Sequence, residues 1–291
     1  MKRILLTLTL LTGFALCAAA QERYGADHVL KLWDNATAPH SNGLTGPETE
    51  DDPFRIGNTT EAVLYIYKAD PARDTGLAVV ICPGGGYRRL SVDTEGFLFG
   101  RWLAENGITA AMLKYRMPNG HPEVPLEDAV QALRVLAGQE AGATGFTADK
   151  VGIAGFSAGG HLAAYASTMG DFRPAFSILF YPVITGEEGR CHRGSFDQLL
   201  GQGRTTEQTA FYSLERQVDS LTPPAILLLS DDDRVVPPVS STRYYDALKE
   251  QGRRASMHIY PSGGHGWGIK KSFAYKAEWQ QALLEWLENL K

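Results

Sequence analysis

Residues Lys150–Gly160 read KVGIAGFSAGG. An apolar, β-prone run enters Gly155-Phe156-Ser157-Ala158-Gly159, and a helical pattern follows from about Ala158. This is G-x-S-x-G in the strand–turn–helix setting that the motif requires. Small residues on either side allow a turn so sharp that the Ser157 hydroxyl projects above the edge of a sheet. The helix behind it aims backbone N–H groups at any oxyanion that develops there. A dinucleotide fingerprint also follows a strand with glycines, but Ser157 stands where its second glycine belongs. The bland alternative is a glycine-rich strand–helix turn. The five matched positions in this context favour a nucleophile.

A nucleophilic serine needs donors for the oxyanion, a base and an acid that orients the base. Upstream, Leu77–Tyr87 reads LAVVICPGGGY, a strand ending in three glycines. Backbone without side chains lets a ligand approach closely and offers its N–H groups to an anion. The expected oxyanion donors are therefore the amides of Gly85, Gly86 and Ala158. Downstream, Ala225–Pro238 reads AILLLSDDDRVVPP and Ser256–Gly268 reads SMHIYPSGGHGWG. The first is a buried strand entering three aspartates, one of which can hold a histidine. The second places His265 in a glycine-rich loop after the last strand. An acid followed by a histidine, both after the serine, is the order that accompanies G-x-S-x-G. His161, four residues beyond Ser157, is the rival base; it precedes the acids and reads as a helix side chain near the turn. His258 reads as packed within a strand, and His28, His40, His121 and His192 receive no role.

Around these blocks, strand-like runs alternate with helical patterns. The runs are Ala62–Tyr67, Leu77–Cys82, Ile108–Lys114, Lys150–Ala154, Phe176–Tyr181, Ala225–Ser230 and Ser256–Tyr260. Several are unbroken Val/Ile/Leu stretches, as in strands buried on both faces. Leu126, Ala129, Val130, Leu133 and Leu136 recur at helical spacing, as do Tyr244, Ala247 and Leu248 before a stop at Gly252. Trp279, Leu283, Trp286, Leu287 and Leu290 form one apolar stripe. The pattern predicts an α/β fold, a mostly parallel sheet with helices on both faces, in a single domain over 21–291. Residues 21–60 read as an irregular lead-in lying over the domain. Residues 185–224 lack a clear strand and read as a lid-like insertion near the carboxyl ends of the strands.

Residues 1–20, MKRILLTLTLLTGFALCAAA, have the positive start, short apolar centre and small-residue end of a cleaved secretory signal. The apolar centre is too short to span a bilayer. The expected location is secreted or periplasmic, with no integral membrane segment after cleavage. Cleavage would remove Cys17 and leave Cys82 and Cys191, for which no bridge is predicted. Lysine and arginine number 28 against 33 acids, a formal charge of −5. An acidic chain without a basic run is a poor ligand for nucleic acid or an anionic membrane. No cysteine–histidine spacing suggests a metal site.

In this order the blocks resemble an α/β-hydrolase, and within it the bacterial esterases of the acetyl-xylan-esterase-like and feruloyl-esterase-like group. The resembling segments include Val80–Tyr87, Glu95-Gly96, Trp102–Arg116, Val151–Leu162, Tyr212-Ser213, Thr222–Pro224, Asp231–Pro238 and Gly263–Gly268, spread over most of 60–290. Pro83 departs from the histidine that opens the family's oxyanion loop. The resemblance implies a serine esterase acting by acyl transfer through Ser157, with His265 as base and no cofactor or metal. Its D-D-x-x-V-P arrangement selects Asp232 as the acid over Asp233, which fits a shorter D-R-V-V-P form. The implied substrates are acetylated or other short-acyl esters of sugars or plant polysaccharides. A prolyl-oligopeptidase-like peptidase and a non-catalytic sugar-binding protein are the alternatives. The intact serine, acid and histidine set argues against the second, and the absence of room for a propeller-like domain in this chain argues against the first.

Overall fold

The computed structural model describes residues 23–52, 54–139 and 148–290. The expected signal at 1–20 lies outside the described residues. Eight strands form one sheet in the order β1-β4-β7-β5-β8-β9-β10-β11. They are β1 (His28–Asp34), β4 (Glu61–Tyr67), β5 (Leu77–Cys82), β7 (Thr109–Lys114), β8 (Lys150–Phe156), β9 (Ser177–Phe180), β10 (Ala225–Ser230) and β11 (Ala255–Tyr260). From β7 to β11 every neighbour is parallel, while β1 and β4 run antiparallel at one side. This is the mostly parallel sheet that the sequence pattern predicts.

The β5 side chains divide between the two faces, which is why the strand is an unbroken apolar run. Ala78, Val80 and Cys82 join one core with Leu133 and Leu136 of α2 (Glu123–Leu136), Leu162 of α3 (Ala158–Met169), and Tyr244 and Leu248 of α6 (Val239–Glu250). Val79 and Ile81 join the other, with Phe99 and Leu103 of α1 (Leu98–Glu105) and Trp279, Leu283 and Leu287 of α7 (Lys276–Glu288). The apolar stripes read from the sequence are thus the faces that cover the sheet. The chain leaves β5 for β7 on one side and later returns to β8 on the other. The carboxyl ends of β5 and β8 therefore lie side by side, with Cys82 level with Gly155, where an open α/β sheet forms its ligand crevice.

The segment read as an irregular lead-in carries strand structure. β1 pairs with β4 at the sheet edge, and its half-exposed residues lack the apolar run that marks a buried strand. Two short strands, β2 (Thr49–Asp52) and β3 (Arg55–Gly57), join β6 (Arg89–Ser91) in a separate three-stranded sheet. At three or four residues each they are too short to show periodicity. Residues 185–224 carry two short helices, α4 (Arg193–Leu200) and α5 (Thr206–Phe211), and a 3₁₀ turn at Leu214–Arg216. Cys82, which is buried, and Cys191 are free. Among the described residues, no helix is long and apolar enough to cross a membrane.

Candidate active site

Ser157 sits at the junction of β8 and α3 with φ 54° and ψ −118°, a conformation that a non-glycine residue rarely adopts. The surrounding structure over-determines it. Its N–H donates to Phe180 O at 3.0 Å, and its carbonyl accepts from His161 N at 3.1 Å and Val183 N at 3.0 Å. The flanking glycines are required sterically. A Cβ on Gly155 would stand 2.1 Å from Gly159 O, and one on Gly159 would stand 2.1 Å from Cys82 O. This packing holds the elbow directly against the end of β5.

His265 reaches Ser157 from the loop after β11. Its Nε2 lies 2.8 Å from Ser157 Oγ, and its Nδ1 lies 2.7 Å from Asp233 Oδ2. Asp233 is 4% exposed, and its second oxygen accepts from the N–H groups of Val235 and Val236, each at 2.9 Å. Its carboxylate is therefore fixed from both sides. The expectation that Asp232 holds the histidine is corrected here. Asp231 N still donates to Tyr260 O as an extension of the sheet, and Asp233 N closes a turn onto Ser230 O at 3.4 Å. The reversal carries Asp233 inward and leaves Asp232 exposed. Asp232 Oδ1 instead accepts from Gly264 N at 2.7 Å, and this bond holds its carboxyl below the usual range. The D-D-x-x-V-P arrangement points one residue early because the strand end and its turn decide which aspartate faces the histidine.

Gly85 and Gly86 face the same cleft as Ser157, and Ala158 follows Ser157 as the first residue of α3. Among the described residues the amides of Gly85, Gly86 and Ala158 donate to no protein acceptor. They are free to receive an oxyanion. His161, the rival base, is buried away from the cleft. Its ring bonds Tyr87 OH at 3.0 Å and Tyr212 O at 2.9 Å, and burial lowers its pKa to about 4. His258 lies in β11 against Ser256 Oγ at 3.2 Å.

The cleft above Ser157 has a volume of about 730 Å³. Val235 is the one apolar side chain among its described lining residues; Arg55, Arg88, Arg89, Asp93, Gln198 and Lys270 give it a polar wall. His192, to which the sequence reading gave no role, also lines it from the 185–224 segment. Its Nδ1 lies 2.8 Å from Ser195 Oγ, and burial lowers its pKa. Two further residues lack a sequence-derived role. Glu95 is largely buried in the lining of the cleft, and Tyr181 packs its ring 4.8 Å from that of His265. Glu95 carried a signal, an acid-glycine pair shortly after the triple glycine, but Tyr181 reads simply as the end of an apolar strand.

The model of the prolyl oligopeptidase family matches residues 119–291. Over 226 residues the chain is 40% identical to an acetylxylan esterase of Xylanibacter ruminicola, covering 76% of this chain and 47% of that protein. It is 33% identical over 220 residues to endo-1,4-β-xylanase B of Butyrivibrio fibrisolvens, covering 69% and 34%. The chain thus spans less than half the length of these two curated relatives. Among solved structures it is similar to an acetyl ester-xyloside bifunctional hydrolase from Caldicellulosiruptor lactoaceticus. That likeness has a TM-score of 0.76 at 32% identity, over 91% of this chain and 97% of the other. With the elbow, the acid turn and the histidine loop all inside the matched region, the chain belongs to the prolyl oligopeptidase family of the α/β-hydrolase superfamily.

Proposed function

We propose that the protein is a serine carboxylic-ester hydrolase that removes acetyl or other short acyl groups from sugar esters or plant polysaccharide fragments. The observation that carries this reading is the hydrogen-bonded series Ser157–His265–Asp233 in a polar cleft beside three unengaged amides. Ser157 Oγ attacks the acyl carbon as His265 Nε2 takes its proton. Asp233 fixes the imidazole tautomer and stabilises the imidazolium. The amides of Gly85, Gly86 and Ala158 receive the oxyanion of the tetrahedral intermediate. The imidazolium then protonates the departing alcohol, leaving an acyl group on Ser157. Water attacks that ester by the same proton path, releasing the acid and restoring the serine. None of these steps calls for a metal or a cofactor. The similarity to an acetylxylan esterase and an acetyl ester-xyloside hydrolase supports the acetyl-sugar substrate class.

The family match itself favours a second reading, a serine peptidase. Turnover of p-nitrophenyl acetate compared with a peptide p-nitroanilide separates the two, and acetate release from acetylated xylan tests the sugar ester directly. Ester turnover with no amide turnover is the expected result; the reverse overturns the esterase reading. We also infer that residues 1–20 direct export and that 21–291 act as one domain, in which 185–224 serves as the lid-like wall of the cleft. The motif order at the amino terminus supports export, and the position of His192 and Gln198 on the cleft supports the wall.

A further inference from the structure

Glu95 is a carboxylate 5% exposed, and no arginine or lysine forms an ion pair with it among the described residues. Burying a carboxylate without a cation costs several kcal/mol, to the order of magnitude, unless hydrogen bonds replace water. Burial does push its pKa up, opposed chiefly by the hydrogen bond from Tyr181. A side chain maintained under that penalty between the parts of a reaction centre invites a functional account.

Its contacts supply one. Oε2 accepts from Gly84 N at 3.0 Å, and Oε1 accepts from Tyr181 OH at 2.8 Å. Gly84 immediately precedes the expected oxyanion donors. It is wedged in place: a Cβ there would stand 2.6 Å from Glu95 Oε2 and 3.1 Å from Ser157 Cβ. Tyr181 OH in turn accepts from Gly268 N at 2.8 Å, three residues beyond His265. The same loop is tied to the turn that carries Glu95, because Ile269 N donates to Thr94 O at 3.1 Å. Tyr181 follows β9 with φ 35°, and its ring lies edge-on to the rings of His265 and Trp267 at 4.8 and 4.9 Å. One unbroken chain of hydrogen bonds therefore runs Gly84 N–H, Glu95, Tyr181 OH, Gly268 N–H. It joins the oxyanion loop to the histidine loop along the cleft lining.

We propose that Glu95 and Tyr181 are positioning residues for ester hydrolysis, fixing the Gly84–Gly86 backbone and the His265 loop relative to each other so that oxyanion donors and base meet one acyl group. The proposal rests on the esterase reading above. Both residues act on geometry that matters only once the carbonyl becomes tetrahedral, so their loss appears in kcat and not in KM.

The test is steady-state hydrolysis of p-nitrophenyl acetate by the full chain, with Ser157→Ala as reference and folding checked by circular dichroism. Glu95→Ala and Tyr181→Phe are each expected to lower kcat about 10- to 100-fold, below the loss for an outright oxyanion donor, with KM changed by less than about threefold. The double variant should be little worse than the poorer single, since both cut one chain. Glu95→Gln, which can still accept from Gly84 N–H and bond the tyrosine, should recover at least about tenfold over Glu95→Ala. A folded Glu95→Ala or Tyr181→Phe with kcat within about twofold of wild type overturns the proposal, as does a loss confined to KM. If Glu95→Ala does not fold, Tyr181→Phe decides alone. A wild-type chain that turns over no ester instead overturns the esterase reading, and ester turnover that survives Ser157→Ala overturns Ser157 as its nucleophile, so these failures are distinguishable from failure of the proposal.

Discussion

Asp232 and Asp233 are adjacent, carry the same carboxylate and differ in everything that surrounds them. Asp233 is buried, receives two backbone N–H groups and touches His265 Nδ1; Asp232 is exposed and receives Gly264 N–H. Asp233→Asn offers an amide that stabilises the wrong imidazole tautomer, and kcat should fall about 10³- to 10⁴-fold. Asp232→Asn keeps an acceptor for Gly264 and should cost less than about tenfold. Steady-state kinetics of the two folded variants check this; a crippled Asp232→Asn beside a near-normal Asp233→Asn would return the acid to its neighbour. Ser157, His265 and the glycine turn were legible in the sequence because their local motif dictates their geometry. The acid was legible only to within three residues, because the end of β10 and the turn after it decide which aspartate points inward.

Helix α3 carries a second test in His161, whose ring is enclosed between Tyr87 and Tyr212. Its folded pKa is lowered to about 4, against about 6.5 for a free imidazole. Between those values the unfolded chain binds the extra proton, so the contribution to stability is whole above pH 6.5 and is lost as pH falls toward 4. Urea unfolding should show wild type losing about 2 kcal/mol more than His161→Gln between pH 7 and pH 5. Equal losses in the two proteins would contradict the assignment of a buried neutral histidine. The elements that wall the cleft make a different prediction. With Val235 as its one apolar described lining side chain, the cleft gives a lengthening acyl chain almost none of the ~0.8 kcal/mol per methylene that burial supplies. Acetyl and propionyl p-nitrophenyl esters should therefore exceed octanoyl in kcat/KM by at least about tenfold; efficient octanoyl hydrolysis would show an acyl pocket that the polar wall does not provide. Strands buried on both faces were readable as apolar runs. β1, β2, β3 and β6 were not, because they are short or half-exposed and owe their pairing to the rest of the fold.

Across the molecule, the segment before β4 is fastened to the sheet by a buried ion pair. Arg116 and Asp128 are fully buried, with Arg116 Nη2 2.7 Å from Asp128 Oδ1. Arg116 also donates to His40 O at 2.6 Å, and Trp33 Nε1 donates to Asp128 Oδ1 at 2.5 Å. Asp128→Ala removes the hydrogen-bonded carboxylate and leaves the buried guanidinium only the longer contact to Glu127 at 3.7 Å, which should cost about 3 kcal/mol in urea unfolding; a loss under about 1 kcal/mol would mean that this segment does not depend on the pair. Sequence reading could not find this fastening, since Trp33, His40 and Asp128 meet only after the sheet has formed. The most direct test of the account is Ser157→Ala assayed for p-nitrophenyl acetate hydrolysis. The side chain lies outside the core, so the variant should retain the wild-type circular dichroism spectrum. Its kcat should fall by about 10⁴-fold or more. A folded Ser157→Ala protein within about tenfold of wild-type kcat would contradict the account at its centre.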